Sequence, residues 1–153
     1  MLESRSAALL SLTITILFSF QAKSQSAYDR NVQQAITRML NGVSNRDMSI
    51  VRQNTTPDCL ILEDGHLYTL DSVAKHLARA KKIASYHRVN HLYFATTRVE
   101  GNAAWVAFTD IADITTNGKA TTDNFLESAY LTKINGVWKV QMIHSTAVTS
   151  YIK

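Results

Sequence analysis

Apolar side chains recur every third or fourth position near the start of the chain and every second position through most of its later half. Helices are therefore expected first and a sheet afterward. Between residues 28 and 43, Val32, Ile36, Met39 or Leu40, and Val43 share one helical face, with Gln33, Gln34, Thr37 and Arg38 opposite. Asn41-Gly42 weakens the end of that helix, and Asp47 stands where it would cap a short second one reaching about Gln53. The only proline, Pro57, marks the passage into a strand over Cys59 to Glu63, which turns at Asp64-Gly65 into a partner, His66 to Leu70. Asp71 with Ser72 opens a third helix to about Lys82, with Val73, Leu77 and Ala80 inward. From Ser85 onward the pattern is strand, broken at Gly101-Asn102, Asn117-Gly118 and Asn135-Gly136.

These turns set expected registers. Asn-Gly suits a two-residue hairpin turn because both positions need φ > 0. If Ile134 faces Val137, then Lys133 meets Trp138, Leu131 meets Val140, Ala129 meets Met142, and Glu127 meets His144. Glu127, Met142 and His144 would then share one apolar sheet face with Trp138 and Val140. A two-residue turn at Asn117-Gly118 sets Asp110 against Phe125 and Phe108 against Glu127, bringing Asp110 to the same face, whereas a one-residue slip would send it to solvent. A tight turn at Gly101-Asn102 brings Tyr93 opposite Asp110. Trp105, Tyr86, Phe94 and Tyr130 are left as outer-face aromatics, a surface that would want a partner if they are exposed together.

Helices followed by an antiparallel meander indicate an α+β domain with its helices on one face of the sheet. The 153 residues suffice for one domain with a real core. The net charge of +4 does not point to nucleic acid, since Lys and Arg are scattered apart from Arg79, Lys81 and Lys82. Ahead of the domain, Arg5 precedes an apolar run from Ala7 to Phe20, too short to span a bilayer comfortably and followed by small residues at Ala22, Ser24 and Ser26. Residues 1–24 are expected to be a signal peptide, with cleavage as late as residue 26, leaving an exported domain over residues 27–150 with no stable membrane anchor. The sole cysteine, Cys59, supports neither a disulfide framework nor a zinc site and reads as a small buried hydrophobe.

The element order, the block Gly101-Asn102-Ala103-Ala104-Trp105-Val106, and the run Leu126 to Val140 leading to His144-Ser145-Thr146 resemble the nuclear transport factor 2-like superfamily, specifically its SnoaL-like branch. The resemblance covers about Tyr28 to Val148. It implies a cone: a strongly curved antiparallel sheet of four long strands plus a short hairpin, closed by the N-terminal helices on its concave face. It also implies a cavity at the open end and homodimers made through the sheet. Because that fold serves isomerases, cyclases, dehydratases, epoxide hydrolases and plain binding modules, it does not choose among them.

The candidate site residues are Glu127, His144, Tyr93, Met142 and Phe108 for a small, mostly apolar ligand, with Glu127, His144 and Asp110 as candidate acid/base groups. A carboxylate facing an imidazole could fix the ring's tautomer or supply a base; it could equally be a cross-strand pair that only steadies the sheet. Tyr93 could donate its phenol to a ligand oxygen. No cofactor is expected, and His87, His91 and His144 have weak spacing for a metal. The expected function is ligand binding by an exported domain, with a cofactor-free isomerase, dehydratase or hydrolase and a homodimeric assembly module as alternatives.

Overall fold

The computed structural model describes residues 29–148. The expected signal peptide and its cleavage site lie outside the described residues. Helix α1 occupies residues 29–44 and is followed by α2 (Met48–Asn54), β1 (Thr55–Glu63), β2 (His66–Thr69), α3 (Leu70–Ala80), β3 (Tyr86–Glu100), β4 (Ala103–Thr116), β5 (Lys119–Ile134) and β6 (Val137–Ala147). Asp47 caps α2 as its position suggested, its carboxylate accepting from the amides of Ser49 and Ile50. The third helix starts two residues earlier than Ser72, because Thr69 is the N-cap and Ser72 closes a capping box with it.

The six strands form one sheet in the order β2-β1-β6-β5-β4-β3. Three hairpins make β3 to β6 antiparallel, but β1 pairs with β6 in parallel. No turn ties β1 to β6, so nothing obliges the two to run oppositely. The sheet is mixed, and its edges, β2 and β3, do not meet, so it is neither the fully antiparallel sheet nor the strongly curled, closed cone that was expected. Pro57 falls where the parallel ladder is broken, between the pairs Thr55/Val140 and Leu60/Met142, a position where its missing N–H costs no ladder bond.

One face of the sheet carries Val106, Phe108, Ala129, Leu131, Val140 and Ile143, and these pack into a single core with Val32, Ala35, Ile36 and Met39 of α1. The helical spacing of the α1 residues and the strand alternation of the sheet residues thus meet in one buried layer. Gly42 does not end α1, which runs on to residue 44. A Cβ at that position would sit 2.8 Å from the Val51 backbone nitrogen, so only glycine lets α1 and α2 close together.

Two β-bulges decide which side chains face this layer. The turns behave as read: Ile134 pairs with Val137, Lys133 with Trp138, Leu131 with Val140, and Glu100 with Ala103. Between Tyr130 and Leu131 the register then shifts, because Gln141 is an extra residue in β6. Beyond it Tyr130 pairs with Met142, Ser128 with His144, and Glu127 with Ser145. Ala95 does the same in β3, so Leu92 rather than Tyr93 faces Asp110. The β4/β5 ladder has no bulge and keeps Asp110 opposite Phe125 and Phe108 opposite Glu127, the register of a two-residue turn at Asn117-Gly118 rather than the slip that would expose Asp110.

Candidate functional site

Between α1, α3 and the inner face of the sheet lies a cavity of about 240 Å³. Its walls are largely apolar, from Met39, Leu40 and Val43 of α1, Val73 and Leu77 of α3, and Ile61, Phe125 and Ile143 of the sheet. Glu63, His76, Arg88, Glu127 and Ser145 bring the polar chemistry. A mostly apolar hollow with a few convergent polar groups is the usual form of a small-molecule site.

Glu127 is the centre of that chemistry. It is only 7 % exposed, and its Oε2 is buried without a hydrogen-bond partner. Burial pushes its carboxyl up to about 7; the nearby hydroxyl of Ser145, its cross-strand neighbour, opposes the rise, and the nearby Asp110 adds to it. Asp110 is wholly buried and its carboxyl is also raised, chiefly by burial, although Arg88 acts against the shift. Arg88 Nη2 lies 3.3 Å from Asp110 Oδ2, and Arg88 Nε donates to Asn90 Oδ1 at 2.7 Å. Glu63 is raised as well, first by burial and then by Asp64. Three carboxyls thus share one arginine, and that shortage of positive charge favours protonating the most buried acid that lines the hollow.

The sequence-based candidates divide sharply. Glu127 lines the cavity. Asp110 faces inward from behind Arg88 and holds that arginine at the wall without lining the cavity itself. Phe108 is buried in the core, its ring tilted against that of Phe94 at 5.5 Å, and does not reach the hollow. His144 is exposed on the opposite face of the sheet, because the Gln141 bulge turns the outer half of β6 over; its expected pairing with Glu127 is replaced by Ser145. Met142 follows His144 to that outer face and pairs with Tyr130. Tyr93, 59 % exposed, is carried outward by the Ala95 bulge, and the same bulge brings Phe94 inward from its expected outer position. Trp105 and Tyr130 are exposed outer-face aromatics as expected, while Tyr86 lies under the Arg46 guanidinium.

Four polar contributors escaped the sequence reading: Glu63, His76, Arg88 and Ser145. Arg88 was legible as a lone charge in the alternating inward series Arg88, Asn90, Leu92, Phe94. Glu63 ends β1 just before the Asp64-Gly65 turn, and His76 is exposed but sits at the cavity rim with Tyr68 edge-on at 5.5 Å. Among the described residues no group of three or more His, Cys, Asp or Glu converges as metal ligands. Cys59 is buried and its thiol is pushed up to about 12, first by burial and then by Asp58, which suits a packed hydrophobe rather than a nucleophile.

The raised Glu127 has a measurable consequence. Below its ordinary value of 4.5 it is protonated whether the chain is folded or not, so burial carries no charge penalty there. Between 4.5 and about 7 the unfolded chain ionises first, folding takes up a proton, and stability falls as pH rises. Above 7 the full cost of burying the carboxylate applies. Glu127→Gln is therefore expected to match the parent protein near pH 4.5 and to be more stable at pH 8 by on the order of 2–3 kcal/mol in urea denaturation. A constant difference across that range would contradict the placement.

Comparison with known proteins rests on the fold. No family model matches the chain, and no curated protein sequence does. Among solved structures it is similar to a ketosteroid isomerase-like protein from Erwinia carotovora atroseptica, with 15 % identity, a TM-score of 0.65, and 79 % of this chain and 96 % of that one covered. It is similar to an NTF2-like superfamily protein from Salmonella enterica serovar Typhimurium at 18 % identity and TM-score 0.68, covering 84 % and 96 % of the two chains. An NTF2-like protein with a cystatin-like fold from Novosphingobium aromaticivorans matches at 13 % identity and TM-score 0.70, covering 89 % and 92 %. The architecture built from these helices and this sheet is the cystatin-like α+β fold of the nuclear transport factor 2-like superfamily.

Proposed function

We propose that the domain binds a small molecule with an apolar body and one polar end that meets Glu127. The observation that carries this reading is the buried, unpartnered Oε2 of Glu127 in a hollow whose other walls are mostly aliphatic or aromatic. An unpaired buried acceptor is costly, and a ligand hydroxyl or amine would satisfy it. A cavity of about 240 Å³ suits one or two rings rather than a long chain. The apolar run from Ala7 to Phe20 supports an exported setting, periplasmic or secreted, for this activity.

A second reading is acid/base catalysis without a cofactor, of the kind the SnoaL-like resemblance implies. Its support is the Glu127 carboxyl near 7, where a base and its conjugate acid are both populated at neutral pH. Glu127 would remove a proton from a carbon next to a carbonyl, with Arg88 steadying the negative oxygen. A third proposal concerns the outer sheet face, where Tyr93, Trp105, Leu126 and Tyr130 are exposed on β3, β4 and β5. That apolar surface supports the homodimer through the sheet.

Three measurements follow. In a fluorescence titration 1-naphthol is expected to bind, and Val73→Trp, which fills the cavity, to weaken it at least tenfold; equal affinity in both proteins would sink the pocket reading. Deuterium exchange into cyclohexanone, followed by NMR, is expected to be accelerated by the protein and lost in Glu127→Gln if the catalytic reading holds, and equal rates with and without protein would remove it. Sedimentation equilibrium is expected to show a dimer that Trp105→Lys converts to monomer, and a monomeric parent would dismiss the dimer.

A further inference from the structure

We propose that the basic cleft between the α1–α2 turn and the start of β3 is a second binding site, for the phosphate group of a small molecule. The cleft has a volume of about 300 Å³ and is lined by Ser44, Asn45, Arg46, Lys81, Tyr86, His87 and Arg88. It is separate in character from the first hollow. Its walls are mainly polar, and they carry three basic side chains and no carboxylate.

Arg46 carries the argument. It is only 9 % exposed, yet its Nε and Nη2 are buried with no hydrogen-bond partner. Its third nitrogen, Nη1, donates to the Ile83 carbonyl at 3.3 Å, and the guanidinium lies 3.7 Å from the centre of the Tyr86 ring. Those contacts fix the plane of the group and leave one edge unpartnered. Nε and Nη2 are the two donors along that edge, the fork that takes two oxygens of one oxyanion side by side. A guanidinium buried with its fork empty is expensive, so a ligand that fills it gains from an arrangement the fold already holds.

The surrounding charge selects the class of anion. Lys81 closes the C-terminal end of α3 beside the cleft, and Arg88 reaches it from β3. Arg88 is partly neutralised by Asp110, which leaves Arg46 and Lys81 as the main positive charges. The neighbouring acid, Asp47, is turned to the amides of Ser49 and Ile50 and does not line the cleft. Two to three cations around one fork, with hydroxyl and amide donors from Ser44 and Asn45 at hand, suit a doubly charged phosphate better than a singly charged carboxylate. The volume exceeds what inorganic phosphate fills, so a phosphomonoester with a small organic group fits.

The test is calorimetric titration of the whole protein with inorganic phosphate, phenyl phosphate and acetate at fixed ionic strength. Either phosphate is expected to bind at least tenfold more tightly than acetate; tighter phenyl phosphate identifies a monoester site, and tighter inorganic phosphate a site for the free ion. Arg46→Met is expected to abolish this binding. Because that variant removes a buried side chain, Lys81→Glu on the exposed rim serves as the second probe: it should weaken phosphate at least tenfold while leaving 1-naphthol affinity unchanged. Phosphate no tighter than acetate, or phosphate affinity unaltered by Lys81→Glu, would overturn the proposal.

Discussion

A single extra residue in the last strand determines what this domain holds at its centre. Strand side chains alternate, so each added residue reverses every position beyond it. Up to Val140 the β6 series follows the Asn135-Gly136 turn, with Trp138 and Val140 buried. Gln141 interrupts the alternation, and Ile143 and Ser145 face inward where Met142 and His144 would otherwise stand. The hollow therefore receives a hydroxyl opposite Glu127 instead of an imidazole. That exchange removes the cation that would have held Glu127 ionised and leaves the carboxyl raised by burial.

The remainder of the site follows from the same scarcity of positive charge. Asp110 takes the nearest arginine, and Glu63 and Glu127 look into the hollow from β1 and β5 without one of their own. Such a cluster opposes folding, and the fold tolerates it because α1 and the sheet bury a continuous aliphatic and aromatic layer behind it. A wall of acids set against an apolar core lowers stability that the core has to supply. Arg46 shows the reverse arrangement on the other side of Arg88: a buried cation whose fork is unpartnered and whose acidic neighbour is engaged elsewhere.

Most of the elements were legible because their signals are local. The α1 spacing, the Asp47 cap, the Asn-Gly turns and the unbroken β4/β5 ladder each depend on a few adjacent residues, and each folds as those residues indicate. The bulges and the parallel β1/β6 pair depend on packing across the sheet, so the turn residues carry no trace of them. One sign was present at Gln141, since the inward apolar residues Trp138 and Val140 cannot keep strict alternation with Ile143. Arg46 gave none: within Ser44-Asn45-Arg46-Asp47 it reads as an ordinary polar break, and its burial follows from Tyr86, forty residues away in the chain, packing over it.

The central claim is that Glu127 lies inside the hollow, apart from His144 and poorly solvated. The most direct measurement is the titration of its side-chain carboxyl carbon by NMR, assigned through Glu127→Gln. A midpoint near 7, unchanged when His144 is replaced by alanine, is the predicted result. A midpoint near 4.5, or one that moves when His144 is replaced by alanine, would contradict it.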